Sequence, residues 1–111
     1  MGDRAMAEVK TEGGSLFVYT HWGGYELPED AKEAVKQAKP RWSDHAYATH
    51  IIVDQLMKSG RDSETGIGLM LGPNAEDEYN NDSPSVVIDI LGQRVTIDHD
   101  KKESLTFQEI A

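Results

Sequence analysis

Leu16-Phe17-Val18-Tyr19 is apolar or aromatic at successive positions. That run predicts a strand buried on both faces, inside a sheet rather than at its edge. The spacing then changes. Leu27, Ala31, Ala34, Val35 and Ala38 fall at offsets of four, seven, eight and eleven, which is one apolar stripe along a helix. Pro28 suits the first helical position, Glu29 and Asp30 the first turn, and Lys36 and Lys39 the last. Pro40 ends this helix. Ser43 is the expected cap of a second helix running to about Ser59, with Gly60 as its stop. Tyr47, Ala48, Ile51, Ile52, Val53, Leu56 and Met57 cover more than half of its circumference. That width implies burial between a sheet and another element.

Three strands follow. Thr65 to Leu71 has strand composition with Gly66 and Gly68 on one face, which admits a close neighbour. Ser85 to Ile90 and Arg94 to Asp98 are joined by Leu91-Gly92-Gln93 as a hairpin. At the end, Thr106 and Glu109 have the spacing of a capping box, while Leu105 and Phe107 also suit a last strand. Residues 104–110 therefore read either as helix or as strand. Residues 1–14 are polar and end in Glu12-Gly13-Gly14, a flexible leader in which Val9-Lys10-Thr11 can pair as a short strand. The fold class is α+β: a mostly antiparallel sheet of about four strands, in chain order β-α-α-β-β-β. Two helices pack on one of its faces, in a single domain spanning residues 15–111.

Composition narrows the function. Eleven basic against twenty acidic residues leave a net charge of −9 over 111 residues. A duplex-binding face needs clustered Lys and Arg to displace counterions, so direct nucleic-acid binding is not expected. A partner protein with a basic surface is. The chain contains no cysteine, which excludes disulfides and thiolate chemistry and fits a reducing, cytoplasmic compartment. No apolar run approaches the roughly twenty residues that span a bilayer, and Met1 to Met6 lacks the core of a signal peptide.

Candidate chemistry gathers in two segments. His21-Trp22-Gly23-Gly24-Tyr25 ends the first strand, and Arg41-Trp42-Ser43-Asp44-His45 opens the second helix. Brought together, His21, Trp22, Gly23, Gly24, Tyr25, Arg41, Trp42 and His45 would offer indole faces, a guanidinium fork and free helix N–H groups to a nucleotide or small anion. The simpler reading makes both indoles a plug at the end of the sheet. A third segment, Glu76, Asp77, Glu78, Tyr79 and Asp82, forms an acidic loop able to draw a basic partner or simply to face water. No metal site is assigned. His45 and His50 are five apart and off one helical face, and Asp98-His99-Asp100 suits a solvated turn. No serine stands in a nucleophile elbow, and Gly66-Ile67-Gly68 lacks the lysine and the following helix of a phosphate loop. No catalytic residue or cofactor is assigned, which weighs against an enzyme.

The succession Val18-Tyr19-Thr20-His21-Trp22-Gly23-Gly24, Leu27-Pro28, Arg41-Trp42-Ser43-Asp44 with Tyr47, Thr65-Gly66-Ile67-Gly68 and the closing hairpin resembles a group of small proteins of phages, prophages, actinobacteria and haloarchaea. These share a Tyr-x-His-Trp-Gly-Gly and an Arg-Trp-x-Asp-x-x-Tyr segment. The likeness covers residues 16–98 and extends weakly to 107–110. This chain departs from the pattern at Ala48-Thr49-His50 and in its longer acidic insert at 74–82. The resemblance implies no activity. It implies a setting, mobile genetic elements, whose small acidic proteins bind and inhibit host factors. A virion or assembly component is the structural alternative.

Overall fold

A computed structural model of the chain describes residues 5–11, 14–20, 26–58, 67–71, 86–98 and 102–111. Its elements are β1 (Ala5–Thr11), β2 (Gly14–Thr20), α1 (Leu27–Gln37), a 3-10 turn (Lys39–Arg41), α2 (His45–Met57), β3 (Ile67–Leu71), β4 (Val86–Asp89), β5 (Arg94–Asp98), β6 (Lys102–Thr106) and α3 (Phe107–Ile110). The strands form one sheet in the order β3-β2-β1-β4-β5-β6. Among the described residues β1 and β4 run parallel, and every other pair is antiparallel. The architecture is therefore α+β as the pattern implies, but with six strands in a mixed sheet among the described residues rather than about four.

The largest departure is at the N-terminus. Residues 5–11, read as leader with a short pairing segment, form a full strand in the middle of the sheet, between β2 and β4. Its reading frame explains why. Ala7 and Val9 point to the helix layer and are fully buried, while Glu8 and Lys10 alternate onto the reverse face. Two small apolar residues among charges make a weak strand signal. Pairing on both sides supplies what propensity does not. The β1–β2 hairpin closes at Thr11 and Gly14, where the Thr11 hydroxyl donates to the Gly14 carbonyl at 2.9 Å. Gly14 has a φ of +140°, a conformation that favours glycine.

β2 is interior and two-sided, as its unbroken apolar run requires. Val18 lies under the helices, whereas its neighbour Phe17 is only 4 % exposed on the other face. Met6 of β1, 1 % exposed, is buried on that same reverse face. The main core lies between the sheet and the helices. Ala7, Val9, Val18, Val86, Ile88, Val95 and Ile97 meet the whole predicted stripe of Leu27, Ala31, Ala34, Val35 and Ala38, together with Ala48, Ile52 and Leu56 of α2. α1 packs over β4 and β5, and α2 over β1 and β2.

α2 differs from its sequence reading in two ways. It starts at His45 with Asp44, not Ser43, at the N-cap, and no side chain caps it. The 3-10 turn is the cause. The Arg41, Trp42 and Asp44 N–H groups donate to the carbonyls of Ala38, Lys39 and Arg41, which carries the chain one residue further before α2 begins. Burial of α2 is also narrower than its apolar circumference. Ala48, Ile52 and Leu56 are buried and Ile51, Val53 and Met57 half-buried, but Tyr47 is 57 % exposed. The sheet, α1 and the 3-10 turn pack against this helix. The helix ends at Met57; Ser59 and Gly60 lie outside the described residues.

The C-terminal ambiguity resolves as both elements in turn. β6 pairs with β5 through Thr106, and α3 starts directly after it. The capping box is complete: the Glu109 N–H donates to Thr106 Oγ1 at 3.0 Å, and the Thr106 N–H to Glu109 Oε1 at 2.8 Å. The Thr106 N–H, then the Thr106 side chain and last the nearby Arg94, hold the Glu109 carboxyl below the usual glutamate range. The predicted β4–β5 hairpin is present, and the Gly92 N–H donates to Asp89 Oδ1 at 3.0 Å across its turn. Among the described residues no helix is long and apolar enough to cross a membrane.

Candidate functional site

Arg41, Trp42, Ser43 and Asp44 occupy the corner between the helices. Trp42 is turned inward, 8 % exposed, with its indole N–H donating to the Val35 carbonyl at 2.9 Å. Its ring lies 5.3 Å from that of Phe107, tilted by 49°. A tryptophan so placed ties the end of α1 to α3, since it buries a large apolar body and satisfies its one donor. For this indole the plug is what the geometry shows.

Arg41 points outward. Its guanidinium carbon sits 5.4 Å from the centre of the Tyr47 ring, a cation–π contact between the 3-10 turn and the first turn of α2. His45 is half-buried, and its carbonyl accepts from Thr49 Oγ1 at 2.6 Å. Between this corner and the β4–β5 turn lies a depression of about 410 Å³, lined by Lys39, Pro40, Arg41, Trp42, Ser43, Asp44 and Gln93. That volume is within the range of small-molecule sites, roughly 300–1,000 Å³.

Two of the residues singled out in the sequence, Arg41 and Trp42, thus line one concavity, and His45 begins the helix beside it. His21, Trp22, Gly23, Gly24 and Tyr25 lie outside the described residues, as does the acidic loop of Glu76, Asp77, Glu78, Tyr79 and Asp82. Lys39, Pro40, Ser43, Asp44 and Gln93 were not marked as a site by the sequence. Four of them adjoin Arg41 and Trp42 in the chain, so adjacency was a usable signal. Gln93 was not reachable that way. It arrives from the sheet, with a φ of +53° that is uncommon for a residue other than glycine, and its carbonyl accepts the Phe107 N–H at 2.9 Å.

A second feature is electrostatic. Glu26, Glu29, Asp30 and Glu33 crowd the start of α1, and all but Asp30 are exposed. Burial, then repulsion from Glu26 and Glu29, holds the Asp30 carboxyl above the usual aspartate range, with Lys58 pulling the other way. Lys32 sits among them, 3.3 Å from Glu29 and 3.5 Å from Glu103 of β6. Burial opposes its charge, but both carboxylates outweigh that and raise its pKa.

Fold and site define an α+β domain with an acidic helix start and a small polar concavity at the opposite end of the same helix. No protein-family model, curated protein or solved structure matches the chain.

Proposed function

We propose that this protein acts by binding rather than by catalysis, as a small acidic domain that docks on a basic surface of a partner protein. The carrying observation is the carboxylate cluster of Glu26, Glu29, Asp30 and Glu33 at the start of α1, with Glu26, Glu29 and Glu33 exposed. Such a cluster presents concentrated negative potential to an approaching cationic surface and speeds encounter. The net charge of −9 supports the same reading and disfavours nucleic acid. The resemblance to small proteins of mobile genetic elements supplies the setting, a cytoplasmic accessory or inhibitor directed at a host protein.

Immobilised protein incubated with host lysate tests this. The partner is expected to be held at about 50 mM salt and released by about 500 mM, where screening is nearly complete within a few ångströms. Reversing charge at three exposed positions (Glu26→Lys, Glu29→Lys, Glu33→Lys) is expected to abolish capture while the fold persists. Equal capture by the reversed variant would refute the acidic docking face.

A further inference from the structure

The depression beside α2 inverts the charge of the molecule. On a chain of net charge −9, Lys39 and Arg41 stand together on the 3-10 turn, both exposed and both lining the same concavity. Asp44 lines it too, yet no ion pair joins it to either cation. Tyr47 holds the Arg41 guanidinium from one side, so less side-chain freedom remains to be lost when its fork is used. Pro40 and Trp42 form one wall of it, and Gln93 lines it from the β4–β5 turn. Trp42 is locked by its hydrogen bond and by Phe107, so this wall is rigid.

We propose that this depression binds a small molecule through an oxyanion, a phosphate monoester or a carboxylate. Arg41 and Lys39 take the anionic group. The guanidinium matches two oxygens of either group at once, and the ammonium adds a point charge. The uncharged body of the ligand lies against Pro40 and Trp42, and the Gln93 amide orients it. Asp44 repels the anion and sets an upper limit on affinity. The carboxylates at the far end of α1 oppose this little, because salt screens exposed charges beyond about 8 Å. The site is independent of the proposed protein-docking face and stands or falls separately from it.

Amide-resolved NMR of the full chain, titrated with inorganic phosphate and with acetate against chloride at matched ionic strength, tests the proposal. Saturable shifts of the Ser43, Asp44 and Gln93 amides are expected with one or both oxyanions and not with chloride; which oxyanion saturates identifies the group recognised. Arg41→Gln is expected to weaken binding about tenfold, and Asp44→Asn to tighten it. Lys102→Gln, on β6 and outside the depression, is expected to bind as the parent does. Lys39→Gln serves if Arg41→Gln loses the dispersed spectrum of a folded chain. Shifts that grow linearly and equally with all three salts overturn the proposal, as does unchanged affinity in both Arg41→Gln and Lys39→Gln.

Discussion

Trp42 shows how much one side chain's environment decides. In the sequence it stands beside Arg41 and invites a ligand, while in the fold its indole is sealed against Phe107 and bonded to Val35. Trp42→Ala is expected to cost about 3–5 kcal/mol, the range for large aromatic truncations in a core. Domains of this size have a total stability of about 5–15 kcal/mol, so that variant is marginal. Trp42→Phe separates ring from donor. It keeps an aromatic ring at the site but loses the hydrogen bond and the volume of the indole's second ring. The Val35 carbonyl is not orphaned, because it also accepts the Ala38 N–H at 3.2 Å. A loss smaller than that of Trp42→Ala is expected, read as a lower urea midpoint with an unchanged slope.

At the scale of the element, α1 sets two electrostatic rules against each other. A carboxylate in the first turn is favoured by the helix dipole, yet Asp30 is half-buried beside Glu26 and Glu29. Burial and like charge win, and its folded pKa lies above the ordinary 3.8. The sign follows. A carboxyl whose pKa is higher folded than unfolded destabilises the fold where it is ionised. That cost is complete above the folded pKa, shrinks as pH falls through it, and vanishes below 3.8. Asp30→Asn is therefore expected to raise the urea midpoint at neutral pH, with the gain closing in acid. A gain that persists below 3.8 would point to packing instead. The elements themselves were unequally legible. α1 is plain because its stripe, its Pro28 and its terminal charges agree. β1 is faint because its helix-facing core residues, Ala7 and Val9, are small and stand among charges, and its worth comes from lying between β2 and β4.

The whole molecule carries its charge excess as a standing strain. Residues of like sign repel in the compact state more than in the expanded one, so a chain at −9 is stabilised when that repulsion is screened. Raising salt from about 10 mM to about 200 mM shortens the screening length from roughly 30 Å to under 10 Å. The thermal midpoint is expected to rise over this interval. A fall would mean that attractive contacts such as Lys32 with Glu29 and Glu103 outweigh the general repulsion.

Local pattern by itself determined α1, the interior character of β2 and the β4–β5 hairpin, because each is written in residues near one another in the chain, while it left 104–110 open between the Thr106–Glu109 cap and a last strand. It also determined the acidic balance and placed Arg41 and Trp42 together. Only the tertiary structure decided that β1 joins the sheet's centre parallel to β4, that Tyr47 faces solvent and that Trp42 faces the core. It alone brought Gln93 to Lys39 and Arg41. These outcomes depend on which surfaces meet across long separations in sequence. Local pattern says that a face is apolar, and only packing says what covers it.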